Sequence, residues 1–158
     1  MPVNEGAEEM KKIVVREEWC LGCHLCEYFC DFANSGLADM VKALQDKTIH
    51  PRITVEGDNQ ISFAVNCRHC DRPLCVAGCI AGALYKEPDG VVRIDQEKCV
   101  GCGTCVLSCP YGAIMPSGHG VAQKCELCMD NAFGTPQCVQ HCPNRAIVIE
   151  EVDAACAM

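Results

Sequence analysis

Aromatic residues are scarce in this sequence: one Trp, three Tyr and four Phe among 158 residues. A core of ordinary large apolar side chains is therefore thin, and something else must hold the chain together. Basic residues are outnumbered, 13 Lys and Arg against 21 Asp and Glu, for a net charge of −8. That balance excludes the basic footprint that nucleic-acid binding needs. No apolar run approaches the roughly eighteen residues of a membrane span. The segment Met1 to Lys12 is acidic and carries neither an apolar stretch nor a twin-Arg pair, so no export signal is recognisable. The expected compartment is the reducing cytoplasm, where abundant cysteine points to metal rather than disulfides. Also missing are a nucleophile–base pair, an open metal position and a Gly-rich nucleotide loop, so no substrate-activating group is expected in this chain.

What is present is cysteine: 17 residues, about 11% of the chain and past the level at which composition alone implies a crosslinked or metal-built scaffold. Sixteen fall into four runs. The first is Cys20-x2-Cys23-x2-Cys26-x3-Cys30 and the third is Cys99-x2-Cys102-x2-Cys105-x3-Cys109, followed by Pro110. The second, Cys67-x2-Cys70-x4-Cys75-x3-Cys79, stretches one gap; the fourth, Cys125-x2-Cys128-x9-Cys138-x3-Cys142, stretches it further. Only Cys156, in the tail, is left over. This is an internal repeat. A cubane 4Fe–4S cluster needs one thiolate per iron, and a Cys-x2-Cys-x2-Cys loop reaches three corners while the fourth Cys of the run serves a different cluster. Sixteen thiolates thus match four 4Fe–4S clusters. Each closing Cys-x3-Cys places two sulfurs at i and i+4, neighbours on a helical turn, so linked clusters must sit close together. Zinc explains the fourth run taken alone but not three consecutive cysteines at x2 spacing.

Along the chain, residues 1–12 read as a charged, mobile lead-in, and Ile13-Val14-Val15 as a short strand leading into the first run. Gly36 to Lys47 carries Leu37, Met40, Val41 and Leu44 at helical spacing and predicts a helix. Arg52 to Val55 and Ile61 to Val65 flank Gly57-Asp58-Asn59 as a hairpin. This insertion, about 36–60, is either a spacer or a docking surface. Ala83-Leu84-Tyr85 and Val91 to Ile94 flank Pro88-Asp89-Gly90 as a second hairpin.

Val91 to Asp95, Cys99-Val100-Gly101-Cys102 and Cys109-Pro110-Tyr111-Gly112-Ala113-Ile114 resemble bacterial ferredoxin, and Cys142-Pro143-Asn144-Arg145-Ala146-Ile147 repeats the end of that pattern. The second run lacks a Pro after Cys79, a departure that touches a turn and not a ligand. On that resemblance the second and third runs form one module, leaving the first and fourth to form the other. Cys67, Cys70, Cys75 and Cys109 then hold one cluster, and Cys99, Cys102, Cys105 and Cys79 the next. In the outer module Cys20, Cys23, Cys26 and Cys142 hold one, and Cys125, Cys128, Cys138 and Cys30 the last. Pairing of the first run with the second is the alternative, and would place the insertion inside a ferredoxin linker.

The span from Ile13 to Glu150 as a whole resembles the four-cluster ferredoxin-like electron-transfer subunits of multi-subunit oxidoreductases. Glu18 to Glu27, Phe63 to Cys70 and Gly82 to Tyr85 look like the subunits that accompany carbon monoxide dehydrogenase or tungsten-dependent aldehyde:ferredoxin oxidoreductase. The resemblance implies an α+β fold of two interleaved ferredoxin-like modules, short hairpins and short helices around the clusters. The inner module covers about 61–114, the outer 13–35 with 115–150, and 151–158 is a tail. It also implies a catalytic partner that releases single electrons into the chain, and an acceptor such as a flavin or NAD subunit, a hydrogenase or a ferredoxin. A cluster-bearing scaffold that links catalytic subunits is the rival reading.

Gly22 and Gly101 sit in Cys-x-Gly-Cys turns, where backbone N–H groups can face the cluster sulfides or the glycines can simply permit the turn. Arg68, Lys98 and Lys124 lie beside cysteines that open a run. A positive charge there would raise a cluster's potential; a solvated surface charge is the expected role for any one of them, with Lys124, like Gly22 and Gly101, taken as a candidate cofactor-binding residue. His24 and His69 lie inside the loops but are surplus as ligands once sixteen thiolates are counted.

Overall fold

The computed structural model describes residues 10–45, 48–58 and 60–152. Cysteine loops interrupt the chain every few residues, so its elements are short. Four antiparallel strand pairs carry the fold: β1 (Met10–Val15) with β8 (Ile147–Val152), β2 (Ile53–Gly57) with β3 (Ser62–Asn66), β4 (Leu84–Lys86) with β5 (Val92–Ile94), and β6 (Ile114–Pro116) with β7 (Ala122–Lys124). The helices are α1 (Leu25–Asn34), α2 (Met40–Ala43), α3 (Leu74–Ala77), α4 (Thr104–Ser108) and α5 (Gln137–Gln140). Pro73 and Pro136 stand at the starts of α3 and α5, where a missing N–H costs nothing. Asp58 and Asp89 close two hairpin turns with their carboxylates, which accept from Ile61 N at 3.0 Å and Val91 N at 2.9 Å.

The strand pair β1–β8 joins the two ends of the described chain, with Ile13 opposite Ile149 and Val15 opposite Ile147. It brings the first cysteine run, which follows β1, beside the end of the fourth, which precedes β8. Arg16 N donates to Ala146 O at 2.8 Å and Asn144 Nδ2 to Trp19 O at 2.7 Å. Behind this seam α1 packs on α5, with the Phe29 and His141 rings stacked at 3.7 Å. Two apolar clusters fill the interior, and cysteines are members of both. One gathers Ile13, Ile53, Ala64, Val91, Leu127 and Ile147 around Cys26, Cys30, Cys67, Cys125 and Cys138; the other gathers Leu84, Val92, Ile94, Ile114 and Ala122 around Cys105.

Several expectations need correction. The helix over Gly36–Lys47 shrinks to the single turn of α2, capped by Asp39, whose Oδ1 accepts from Val41 N at 2.9 Å. Val41 is 79% exposed and Leu37 is exposed as well. The apolar spacing finds no face to pack on, and so short a segment does not hold a helix by propensity alone. Asp46 and Lys47 lie outside the described residues. The lead-in ends earlier than Lys12, because Met10, Lys11 and Lys12 are strand residues and Met10 is buried; residues 1–9 lie outside the described residues. Likewise Glu151 and Val152 belong to β8 rather than to a tail, while Cys156 lies outside the described residues. The insertion hairpin β2–β3 is part of the core. Ile53 is buried, Val55 N donates to Glu27 Oε1 at 2.6 Å, and Arg52 pairs with Glu126 at 3.0 Å. The hairpin β6–β7 was not anticipated. Its signal was Ser117-Gly118-His119-Gly120 between Ile114 and Ala122, with Ser117 N donating to Val121 O at 2.7 Å.

Candidate metal centres

The sixteen cysteines of the four runs all lie among the described residues, and none forms a disulfide. Twelve of them line three cavities. Cys20, Cys23, Cys26 and Cys142 surround one, with Val55, Ile147 and His24 in its wall. Cys30, Cys125, Cys128 and Cys138 surround a second, walled by Ile13, Ile53 and Asn66. Cys79, Cys99, Cys102 and Cys105 surround a third, walled by Leu84, Ile94 and Ala122. The remaining four are also neighbours: Cys67 lies within charge–charge reach of Cys70 and Cys109, and Cys75 within reach of Cys67 and Cys109. Among the described residues no group of three or more His, Cys, Asp or Glu is arranged around a single metal ion; the thiols stand around cavities.

Each Cys-x3-Cys pair straddles two sets. On α1, Cys26 faces the first cavity and Cys30 the second; at α5, Cys138 faces the second and Cys142 the first. At α3 and α4, Cys79 and Cys105 face the third cavity while Cys75 and Cys109 join the set around Cys67. Cys125 is within charge–charge reach of Cys67, which joins the two halves. The sets therefore run in a line from Cys20/Cys23/Cys26/Cys142, through the Cys30 and Cys67 sets, to Cys79/Cys99/Cys102/Cys105. Cys23 and Cys102, at the two ends, are exposed.

The loops share one backbone device. The residue just before the second Cys of every run is left-handed: Gly22 (φ 63°), His69 (φ 46°), Gly101 (φ 68°) and Leu127 (φ 58°). Backbone crowding requires glycine at Gly101, and at Gly22 a side chain would have to move to admit a Cβ. A Cβ on Gly101 would overlap the Gly120 carbonyl oxygen, and one on Gly22 would come within 2.7 Å of Ser62 Oγ. His69 and Leu127 accept the conformation as ordinary residues, at a cost of about 1–2 kcal/mol each. Backbone N–H groups turn toward sulfur around the sets: Arg52 N to Cys30 Sγ at 3.2 Å, Ala83 N to Cys79 Sγ at 3.3 Å, and Ala113 N to Cys109 Sγ at 3.4 Å.

Burial raises thiols in all four sets, Cys105 at the far end included, and two far-end thiols go the other way. Burial pushes the Cys26, Cys30 and Cys125 thiols up to about 12 and Cys75 to about 11. Cys138 and Cys67 are raised too, Cys67 less so because the Lys124 charge opposes its burial. At the far end Cys102 is lowered by the Thr104 hydroxyl, 3.4 Å away. Burial acts to raise Cys79, but the N–H groups around Leu84 and Ala83 outweigh it and leave that thiol lowered.

Lys124 is not the solvated charge expected of a lysine at such a position: it is 0% exposed, and its Nζ donates to Val92 O and, at 2.7 Å, to Cys125 O. Sequence position alone hid this, because its burial comes from the packing of β7 on β5. Lys98 is solvated and pairs with Asp95 at 3.0 Å, and the Arg68 guanidinium covers the Tyr111 ring at 4.5 Å. His24 Nδ1 lies 2.8 Å from Glu27 Oε2. His69 is 1% exposed, with Nδ1 accepting from Val92 N at 3.0 Å and Nε2 without a partner. Burial, then the nearby Lys124 charge, pushes its pKa down to about 3, so the ring is neutral. The residues fit a thiolate-bound polynuclear group, since sulfur donors come in sets of four around cavities and a buried ammonium stands beside them without a carboxylate partner among the described residues.

A small α+β protein whose interior is organised around cysteine-lined cavities belongs to the ferredoxin-like class. Residues 59–152 match the family described as the 4Fe-4S dicluster domain, and residues 17–33 match a 4Fe-4S binding domain. The chain is 35% identical to an "Iron-sulfur protein" of Rhodospirillum rubrum over 90% of its own length and 83% of the relative's. It is 36% identical to the electron transport protein HydN of Escherichia coli, over 86% and 85%. It is 30% identical to the thiosulfate reductase electron transfer subunit PhsB of Salmonella typhi, over 87% and 73%. Two further relatives are much longer, and the chain spans only 21% of each. The protein is a member of the 4Fe-4S ferredoxin-like iron-sulfur family. No helix among its described residues is long and apolar enough to cross a membrane.

Proposed function

We propose that this chain is the electron-transfer subunit of a multi-subunit oxidoreductase, relaying single electrons through four 4Fe–4S clusters. In this reading Cys20, Cys23, Cys26 and Cys142 hold the first cluster, and Cys30, Cys125, Cys128 and Cys138 the second. Cys67, Cys70, Cys75 and Cys109 hold the third, and Cys79, Cys99, Cys102 and Cys105 the fourth, within two interleaved ferredoxin-like modules. The observation that carries it is the straddling of every Cys-x3-Cys pair across two neighbouring sets, which keeps successive redox groups one helical turn apart. Reversible one-electron chemistry is what such groups supply when bound. The protein's own part is to hold them by thiolate, surround them with apolar walls and direct N–H groups at sulfur.

The partner is a catalytic subunit of the carbon monoxide dehydrogenase or tungsten aldehyde oxidoreductase type, and the acceptor a flavin or NAD subunit, hydrogenase or ferredoxin. The segments Glu18–Glu27, Phe63–Cys70 and Gly82–Tyr85 support that choice. Relatives named as an electron transfer subunit and as an electron transport protein support the broader role. The site of action is the cytoplasm, where thiols stay reduced until loaded. Metal and sulfide analysis of the complex purified anaerobically tests the reading: about sixteen irons per copy of this chain are expected beyond the partner's own, and stoichiometric zinc with little iron refutes it. Cys102→Ser, at the exposed end, should abolish delivery to the physiological acceptor while the partner's reaction with an artificial dye persists. Equal loss of both activities would favour the scaffold role.

A further inference from the structure

Lys124 is the one Lys, Arg, Asp or Glu buried among the described residues. It closes β7, directly before Cys125, where β7 packs on β5. Its ammonium is fully withdrawn from water, and the groups that receive its hydrogen bonds, the carbonyls of Val92 and Cys125, are uncharged. No carboxylate pairs with it among the described residues, although six other Lys or Arg ion pairs are formed. A buried cation without a counter-ion is costly, so its position calls for an anion at this spot. The thiols in charge–charge reach of it come from two different sets: Cys67 and Cys75 from one, Cys125 from the other. The same Val92 peptide engages His69. Val92 N donates to Nδ1, so the ring proton sits on Nε2, a second buried donor without a protein acceptor.

We propose that Lys124 is an internal counter-cation shared by the two middle centres, those of the Cys30/Cys125/Cys128/Cys138 and Cys67/Cys70/Cys75/Cys109 sets, and that its charge raises both their reduction potentials. The inference rests on the four-cluster reading above. Its physical basis is the burial of the cysteines on either side of it, Cys30, Cys125 and Cys138 in one set and Cys67 in the other. Withdrawal from water disfavours adding an electron to an already anionic group. The two end sets include the exposed Cys23 and Cys102 and draw on solvent instead. Without Lys124 the middle of the line would be a barrier between its ends. The step concerned is uptake and release of one electron, with no proton transferred and no bond changed.

The test is an EPR-monitored redox titration, with dithionite as reductant, of the anaerobically purified holoprotein carrying Lys124→Met, Lys124→Gln or Lys124→Arg. Gln keeps a donor for Val92 O without the charge; Arg keeps the charge. Two of the four midpoints should fall in the neutral variants by at least tenfold in the reduction equilibrium, which is about 59 mV for one electron, while the other two stay in place and the Arg variant behaves as wild type. Unmoved midpoints at full iron, a uniform shift of all four, or an Arg variant that shifts like Met would each overturn the proposal. If both neutral variants lose about half their iron while the Arg variant loads fully, the counter-charge role stands. If the Arg variant loses iron as well, Lys124 is a packing residue and the proposal fails. Wild-type protein that lacks iron would refute the four-cluster reading itself, before any variant is compared.

Discussion

Three left-handed glycines of the cysteine loops, Gly22, Gly101 and Gly103 just after Cys102, offer a graded test of how this scaffold is held. Gly103 (φ 75°) has nothing within 4 Å of a notional Cβ, so Gly103→Ala should cost only the left-handed strain, about 1–2 kcal/mol. At Gly22 the added methyl would meet the Ser62 hydroxyl at 2.7 Å, and that side chain can rotate away, so Gly22→Ala should cost slightly more. Gly101 is different in kind: the methyl would run into the Gly120 carbonyl oxygen, which is backbone. Gly120 belongs to the tight β6–β7 turn, its N–H donating to Ser117 O at 3.1 Å. Relief of the clash must displace that turn, and with it Ala122 N from Cys99 Sγ, 3.5 Å away. Gly101→Ala should therefore cost more than about 3 kcal/mol, as strained and overpacked positions do. The rate at which each holoprotein loses visible cluster absorbance to a chelator reads the series. A Gly101→Ala protein that bleaches no faster than Gly103→Ala would refute the backbone-approach argument.

Two further outcomes follow from the site's charges. Glu126 accepts from Ile94 N at 2.9 Å and pairs with Arg52 at 3.0 Å, tying the fourth run to two hairpins. Glu126→Ala should cost about 2–4 kcal/mol, as losing one partner of a half-buried ion pair does, and thermal bleaching should come earlier; an unchanged transition would count against that tie. Loading should also depend on pH. Cys30 and Cys125 hold their protons to about 12 and Cys75 to about 11, so binding as thiolates at pH 7 must release those protons. Cluster retention against a chelator should accordingly strengthen as pH rises from 7 toward 11, where release becomes progressively less costly. Retention that falls over that interval would show that these thiols are not the ligands.

Much of the site was legible along the chain. The x2–x2–x3 spacing is a local constraint, so the closeness of Cys26 and Cys30, or of Cys105 and Cys109, follows from i, i+4 geometry, and their division between sets from the loop pattern. The hairpins at Asp58 and Asp89 were legible for the same reason, because turn chemistry is local. The helix over Gly36–Lys47 misled because periodicity records a possible apolar face, not whether a partner covers it. The β2–β3 hairpin looked optional in sequence, since nothing in Ile53 or Val55 announces that each walls a cysteine cavity.

What the sequence determined by itself is the set of sixteen cysteines and its grouping into four runs, for spacing and loop reach act over a few residues. Only the tertiary structure decided which runs meet, because the pairing of β1 with β8 is a contact between the two ends of the chain. The linear order of the sets and the burial of Lys124 were decided there too. Both arise where β7, β5 and the loop at Cys67 close on one another, and the free energy of a buried charge depends on everything packed around it rather than on its neighbours in sequence.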